Sequence, residues 1–102
     1  MIICSVKKNE NLYDISISGH SGYDTIGKDI VCSSVSSSLI LTVNLLEKLD
    51  SKFEFKSDEK IPMMNVKLEN YTEIDEKILD NLIDCLKDVS SQYSKYLKIK
   101  LL

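Results

Sequence analysis

Apolar and polar residues alternate in five short stretches of the chain. Alternation with a period of two is typical of half-buried β-strands. The first stretch runs from Ile2 to Val6. The apolar members of the others are Tyr13, Ile15 and Ile17, then Phe53 and Phe55, then Met64, Val66 and Leu68, and finally Leu97, Ile99 and Leu101. Polar turns at Lys7–Asn11 and around Pro62 join the first four stretches in pairs. The pattern therefore predicts two hairpins and one closing strand.

Two longer stretches have the three- and four-residue spacing of an amphipathic helix. The first begins at about Asp29 and continues for roughly five turns; its apolar stripe is Val31, Val35, Leu39, Thr42, Leu46 and Leu49. The second begins at a capping-box sequence, Thr72 to Asp75; its stripe is Ile74, Ile78, Leu82, Ile83, Leu86, Val89 and Tyr93. The order ββαββαβ predicts an α+β fold with both helices on one face of a mainly antiparallel sheet.

Composition and charge limit the classes of partner. A chain of 102 residues, 43% hydrophobic and 28% charged, is typical of a globular protein, so we expect residues 1–102 to form a single domain. The net charge is −3, and direct nucleic-acid binding is not expected, because phosphate binding needs clustered cations. An acidic surface favours a neutral or basic partner. The N-terminus has no charged leader, and the apolar run Leu39–Leu46 is interrupted by polar residues, so no membrane partner is expected.

The three cysteines and the single histidine indicate the compartment. The cysteines cannot all pair, and they lack the close doublets of a zinc site. We therefore expect a reduced, cytoplasmic protein that has no metal and no cofactor. Cys4 in the first strand and Cys85 in the second helix are interpreted as structural residues, because a free cysteine usually packs as a small hydrophobe.

The segment from Gly19 to Cys32 concentrates the residues with reactive side chains or unusual backbone freedom. It holds all three glycines and His20, the only histidine. Glycines permit sharp bends, so this loop can move and can admit another chain. Cys32 falls in the first turn of the predicted helix, where unpaired N–H groups and the helix dipole favour a thiolate. His20 ends the preceding strand, and the connection can return its imidazole to the sulfur as a base.

Other residues near Cys32 have both a functional and a simpler interpretation. Asp29 can cap the helix or orient His20, and the N–H groups at the helix start can hold an oxyanion. The serines at positions 33, 34, 36, 37 and 38 are poor helix formers whose small side chains allow a substrate to lie close. A lone histidine at a strand end is nevertheless usually a surface residue, and a lone cysteine is usually structural. The residues alone leave a catalytic and a structural Cys32 open.

The same segment resembles a known family. Gly19-His20, a glycine-bearing loop, and then Gly27-Lys28-Asp29-Ile30-Val31-Cys32 with Val35-Ser36 resemble the signature of the bacterial ribosomal-processing cysteine proteases, the Prp family. The chain length and the order ββαββαβ are also similar. One departure is that Ser33 and Ser34 stand where alanine is common in that family.

The resemblance implies an activity and a set of site residues. It implies a catalytic dyad of Cys32 and His20. The supporting or substrate-binding residues that it implies are Gly19, Gly22, Gly27, Asp29, Ser33 and Ser36. It further implies a homodimer that removes the N-terminal extension of one large-subunit ribosomal protein, the one numbered twenty-seven, and so supports ribosome assembly.

The mechanism expected from these residues includes a moving loop. Residues 21–28 would close over an extended peptide, so His20 and Cys32 are expected to lie too far apart for a hydrogen bond before the substrate binds. Two other functions remain open: a non-catalytic ribosome-assembly factor that only grips a peptide, and a redox sensor in which Cys4 or Cys85 resolves an oxidised Cys32.

Overall fold

A computed structural model describes residues 1–25 and 28–102. In this part of the chain the elements are β1 (Ile2–Lys8), β2 (Leu12–Ser18), α1 (Ile30–Lys48), β3 (Glu54–Asp58), β4 (Met63–Glu69), α2 (Glu73–Gln92) and β5 (Leu97–Leu101). The five described strands form one sheet in the order β3-β4-β2-β1-β5. Strands β1 and β5 are parallel, and the other neighbouring pairs are antiparallel. The α+β fold and the order ββαββαβ are confirmed.

The alternation along the strands places the core on one face of the sheet. In the register of the strands, Cys4 lies opposite Ile17, and Ile15 lies opposite Val66; all four side chains are buried. The buried residues of α1 and α2 belong to the same apolar cluster, so both helices cover this face, as expected. The opposite face of the sheet is polar along its central strands; its side chains there include Ser5, Ser16 and Asn65.

The helix stripes were predicted with small errors in phase. In α1 the buried stripe is Val31, Val35, Leu39, Val43 and Leu46. Val43 therefore takes the place expected for Thr42, whose hydroxyl instead donates to the Ser38 carbonyl at 2.8 Å, and Leu49 is exposed. In α2 the buried apolar residues are Leu79, Leu82, Ile83 and Leu86, while Ile74 is exposed. The two sequence stripes drifted around the helix axis because three- and four-residue steps can be combined in several ways.

Helix α1 is long and apolar enough to cross a membrane by length and composition alone. The core helix of a globular fold can satisfy the same criterion, and five residues of α1 are buried against the sheet and α2. The length and apolar character of this helix therefore do not distinguish a membrane-spanning helix from the core helix of a globular fold.

The two cysteines interpreted as structural differ in their surroundings. Cys4 is fully buried in β1, where burial raises the pKa of its thiol to about 11, and its structural role is consistent with that position. Cys85 is exposed on α2, so the expectation that it packs as a small buried hydrophobe is wrong. The inward positions on either side of it belong to Leu82, Ile83 and Leu86, which the predicted stripe contained, and the helix therefore turns Cys85 outwards.

Candidate active site

A cleft of about 910 Å³ opens at one end of the sheet, where β2 ends and where β4 and α1 begin. Antiparallel pairing brings the end of β2 beside the start of β4, with Ile17 opposite Met64 and Ser18 opposite Met63. The apolar residues that line the cleft are Ile2, Ile17, Ile30, Val35, Pro62, Met63 and Met64. The cleft therefore has an apolar surface in the size range of ligand-binding sites.

The residues singled out from the sequence converge on this cleft. The lining includes His20, Cys32, Gly19, Gly22, Asp29, Ser33 and Ser36. Gly27, the remaining predicted site residue, lies outside the described residues. The resemblance to a protease signature therefore corresponds to one place in the fold, with Cys32 and Ser36 one turn apart on α1.

Cys32 is the third residue of α1 and is half-buried at the edge of the cleft. Its Sγ accepts a hydrogen bond of 3.3 Å from the backbone N–H of Ser21. A donor of this kind stabilises a thiolate more than a thiol, because the charged acceptor forms the stronger hydrogen bond. The sulfur therefore has a polar partner in addition to its position at the positive end of the helix.

The same hydrogen bond limits the distance between His20 and Cys32. The Ser21 nitrogen belongs to the peptide that joins His20 to Ser21, so the His20 Cα lies within about 6 Å of the Cys32 sulfur. The His20 side chain is exposed and lines the same cleft. Among the described residues, no hydrogen bond joins the His20 ring to Cys32.

Asp29 is the N-cap of α1. Its Oδ1 accepts hydrogen bonds from the backbone N–H groups of Val31 and Cys32, each at 3.0 Å, and its Oδ2 accepts one from the Ser21 hydroxyl. Burial raises the pKa of Asp29, but the hydrogen bonds from Ser21, Cys32 and Val31 outweigh burial and lower the pKa to about 2. Of the two roles left open for Asp29, the helix cap is confirmed.

This capping arrangement changes the expectation for the oxyanion. The N–H groups of Val31 and Cys32 donate to the Asp29 carboxylate, and the N–H of Ser33 donates to the Asp29 carbonyl at 3.1 Å. These three donors at the helix start are already paired. The oxyanion therefore needs other donors, and the Ser21 N–H beside the sulfur is one that the structure describes.

Ser21 is the residue of this site that the sequence did not single out. Its side chain is 3% exposed, although its neighbours His20, Gly22 and Tyr23 are all exposed. Its hydroxyl donates to Asp29 and accepts the Tyr23 N–H at 3.1 Å. Its place next to the candidate base was the available signal, but nothing in the sequence separates it from the other serines.

Two features hold the loop that follows β2. Gly19 has a φ of 91°, and a Cβ at this position would lie 2.6 Å from the Met1 carbonyl oxygen, so only glycine fits without a shift of the backbone. Tyr23 packs edge-to-face against Tyr93 and Tyr96, with ring centroids 5.5 and 5.1 Å apart. The start of the loop therefore lies close against Met1, and its Tyr23 ring packs against the end of α2 and the residues that follow it.

The rim of the cleft is predominantly acidic. Asp24, Asp58 and Glu59 line it, together with a single lysine in the described lining, Lys28. Within residues 1–25 and 28–102, none of these three acids forms an ion pair. Their charges are available to a cationic group that enters the cleft.

Solved structures of similar proteins share the fold. The first is the essential ribosomal processing protease Prp from Staphylococcus aureus in complex with a covalently linked product peptide, with a TM-score of 0.91, 20% identity and full coverage of both chains. The same protease with a substrate peptide gives a TM-score of 0.86 at 19% identity, again with full coverage of both chains. SMU.848 from Streptococcus mutans gives 0.86 at 23% identity, over 100% of this chain and 94% of the other.

A comparison with curated proteins gives no match. At the identities of the solved structures, the likeness establishes the fold. The sequence matches the profile of the family described as "Cysteine protease Prp" over residues 1–98. This match covers nearly the whole chain and includes every residue that lines the cleft. The chain therefore belongs to the Prp family of cysteine proteases.

Proposed function

We propose that this protein is a cysteine endopeptidase with Cys32 as the nucleophile and His20 as the general acid and base. Its substrate is the large-subunit ribosomal protein numbered twenty-seven, from which it removes the N-terminal extension, in support of ribosome assembly. The observation that carries the proposal is the convergence of His20 and Cys32 on one cleft at the start of α1. Membership of the Prp family supports the class of reaction.

The proposed reaction has two covalent steps. His20 takes the thiol proton of Cys32, and the thiolate attacks the scissile carbonyl carbon. The carbon–nitrogen bond then breaks, His20 returns its proton to the leaving amine, and a thioester remains on Cys32. In the second step His20 takes a proton from water, the hydroxide attacks the thioester carbonyl, and Cys32 leaves as a thiolate. The Ser21 N–H, which contacts the sulfur beforehand, becomes available to the adjacent oxyanion once the carbon–sulfur bond forms.

The proposed substrate is an extended peptide with apolar side chains near the cut bond and a basic residue nearby. The lining around Ile17, Met63 and Met64 suits apolar side chains, and the uncompensated acids Asp58 and Glu59 suit a cation. The Staphylococcus aureus protease has been solved with a substrate peptide and with a covalently linked product peptide, which supports a peptide as the occupant of the cleft.

Residues 21–28, of which 26 and 27 lie outside the described residues, act in this proposal as a lid that closes over the bound peptide and excludes water. The exposed position of His20 supports this assignment, because a rotation of its side chain together with loop closure would complete the dyad. Gly22, with a φ of 74° and no atom within 4 Å of a Cβ at this position, is a suitable hinge.

We also propose that the protein acts in the cytoplasm as a homodimer. Its cysteines, all of which lie in the described part of the chain, are free, which suits a reducing compartment. The outer side of α1 carries Ile40, Leu41 and Leu45, of which Leu41 is 73% exposed, and these side chains are candidates for the contact between copies. Sedimentation equilibrium of Leu41→Glu against wild type tests this contact: a dimer that persists unchanged in the variant would exclude this face.

The experiment that tests the function uses a synthetic peptide spanning the N-terminal extension of the ribosomal protein from the same organism. Mass spectrometry follows its cleavage by wild type, Cys32→Ala and His20→Ala, with Cys85→Ala as a matched control for loss of a thiol outside the cleft. We expect a single cut by wild type and by Cys85→Ala, and a loss of at least about 1000-fold for the other two variants. Binding without a cut in wild type would favour a peptide-gripping assembly factor instead.

The redox-sensor alternative is tested with the same material. A sensor needs a second thiol to resolve an oxidised Cys32, so Cys4→Ser combined with Cys85→Ser would abolish its function. A protease with these two substitutions keeps its cleavage rate, because neither thiol lies in the lining of the cleft.

A further inference from the structure

We infer that Ser21 is a positioning residue for the reaction: it joins the segment that carries His20 to the helix start that carries Cys32. The inference rests on the proposed role of Cys32 as the nucleophile. It concerns a side chain whose position in the sequence showed no special signal and whose burial and contacts set it apart from the rest of the loop.

The contacts of Ser21 close a ring of hydrogen bonds, which we call the Ser21 ring. The Ser21 N–H donates to the Cys32 Sγ at 3.3 Å, and the Ser21 hydroxyl donates to Oδ2 of Asp29. Oδ1 of Asp29 in turn accepts the Cys32 N–H at 3.0 Å. Each of the three residues is therefore bonded to the other two, and the sulfur is held against the peptide that begins with His20.

The direction of each hydrogen bond in the ring is fixed by chemistry. The Tyr23 N–H can only donate, and it donates to the Ser21 oxygen at 3.1 Å. The Asp29 carboxylate, with a pKa of about 2, is ionised at neutral pH and can only accept. The proton of the Ser21 hydroxyl therefore points to Asp29, and no alternative arrangement satisfies all three groups.

Burial makes this arrangement costly to lose. Ser21 is 3% exposed and Asp29 is 8% exposed, so water has little access to replace a missing partner. Substitution of Ser21 by alanine removes the hydroxyl and leaves both Oδ2 of Asp29 and the Tyr23 N–H without their partner. The loop then loses its attachment to α1 on the side of the sulfur, and the Ser21 N–H is free to move away from Cys32.

The test measures the reactivity of Cys32 in the absence of peptide. Wild type, Ser21→Ala and Ser21→Thr are alkylated with iodoacetamide from pH 5 to pH 9, and mass spectrometry reads Cys32 and Cys85 separately in the same molecules. The exposed Cys85 is an internal control, and the buried Cys4 reports any loss of the fold. Ser51→Ala is the matched control variant, because Ser51 donates its hydroxyl to the buried N-terminal aspartate of the other helix, Asp75.

We expect alkylation of Cys32 at pH 6 to be roughly tenfold slower in Ser21→Ala than in wild type, because the N–H that donates to the sulfur is no longer held against it. Cys85 should keep its alkylation rate, Cys32 in Ser21→Thr should react at a rate closer to that of wild type than to that of Ser21→Ala, and Ser51→Ala should leave Cys32 unchanged. With the peptide substrate, kcat of Ser21→Ala should fall about tenfold while KM changes by less than twofold.

Two outcomes would overturn the inference. One is a Cys32 profile in Ser21→Ala that coincides with wild type; the other is an equal slowing in Ser51→Ala, which would indicate general destabilisation. A wild-type protein that fails to cut the peptide would defeat the proposed function but leave the alkylation result intact, so the two failures are distinguishable.

Discussion

The two helices of this protein begin with similar hydrogen bonds, but their N-termini have different roles. At each start a buried aspartate accepts a hydroxyl hydrogen bond from a serine in another segment: Asp29 from Ser21 in α1, and Asp75 from Ser51 in α2. In both cases burial raises the pKa of the carboxyl, and hydrogen bonds outweigh burial and lower the pKa below its ordinary value. At both helix starts, a buried aspartate that is held by a serine therefore accepts hydrogen bonds from backbone N–H groups that would otherwise be unpaired.

The difference lies in what occupies the third helical position. In α2 that residue is Asp75 itself, which closes a capping box with Thr72 through hydrogen bonds of 3.0 and 3.1 Å. In α1 the aspartate is the N-cap residue, three positions earlier, and Cys32 occupies the third helical position. The same capping chemistry thus stabilises a helix in one case and, in the other, also holds a sulfur at the edge of a cleft.

Replacing the aspartate carboxylate at each helix start tests this comparison, and the largest expected effect is on activity. Asp29→Asn retains an oxygen for the helix N–H groups but places an amide where the Ser21 hydroxyl must donate. We expect kcat/KM for the peptide to fall about 100-fold, which corresponds to about 2.7 kcal/mol of transition-state stabilisation. Asp75→Asn, the matched change at α2, should alter kcat/KM less than twofold. Steady-state kinetics with the two variants measures both.

Chemical denaturation separates this effect from instability. Both variants should lose a similar amount of folding free energy, about 1–2 kcal/mol, because each removes a buried charged acceptor. Equal losses of activity in the two variants would show that α1 has no special role, and the comparison between the helix starts would fail.

The sequence located the main residues of the site but not the network between them. Cys32 and Asp29 could be placed because both belong to the helix start, where spacing along the chain fixes geometry. Ser21 and Ser51 act across gaps of 8 and 24 residues, and such contacts depend on how separate segments fold back on each other. A serine has no feature in the sequence that reports which distant acceptor it will meet.

The buried positions were predictable where the sequence pattern fits only one choice of inward-facing residues. Period two in the strands fixes which side chains share a face, so Ile15 and Ile17 were placed correctly in the core. In a helix, a combination of three- and four-residue steps fits more than one stripe, and this is why Val43 and Leu79 were missed. Cys85 was misjudged for another reason, because the usual burial of free cysteine was applied to it without regard to its position on the helix. The acidic rim could not be predicted either, because Asp24 and Glu59 are brought together only by the sheet.

A second prediction concerns the backbone that leads into each helix. Gly19 precedes the loop to α1 with a φ of 91°, whereas Asn70 precedes α2 with a φ of 53°, in the left-handed region that asparagine tolerates. Gly19→Ala should cost about 2–3 kcal/mol, because the new Cβ meets the Met1 carbonyl oxygen as well as an unfavourable φ. Asn70→Gly should change stability by less than about 0.5 kcal/mol.

Urea denaturation followed by circular dichroism measures both values. An alanine at position 19 that leaves the midpoint unchanged would show that Met1, just before β1, can shift freely to make room. Stability would then not require a glycine at position 19, where the loop to the site begins.

The third prediction is the pH dependence of stability. The pKa of Asp29 is lower in the folded protein than in the unfolded chain, so its contribution is fully present above about pH 4 and is lost as pH falls towards pH 2. The contribution is about 2 kcal/mol. The stability difference between wild type and Asp29→Asn should therefore be constant above pH 5 and shrink below pH 4. Thermal unfolding across this range measures it, and a difference that stays constant down to pH 2.5 would contradict the lowered pKa.

The smallest expected effect concerns the charges around the two helix starts. At α2 the acids are compensated: Glu76 pairs with Lys8 at 2.9 Å, and Glu73 pairs with Lys77 at 3.5 Å. At the cleft, Glu59 is exposed and, among the described residues, forms no ion pair. Glu59→Gln should lower kcat/KM about threefold for a peptide with a lysine beside the cut bond, and Glu73→Gln should not, because only Glu59 faces the proposed substrate.

Salt decides whether this difference is electrostatic. The advantage of wild type over Glu59→Gln should vanish as ionic strength rises towards 1 M, where the screening length falls to about 3 Å. A peptide with that lysine replaced by norleucine should be cut equally well by both proteins at any salt concentration. If Glu59→Gln also cuts the norleucine peptide more slowly than wild type does, the residue acts through the shape of the β3–β4 turn. The acidic rim then has no role in substrate selection.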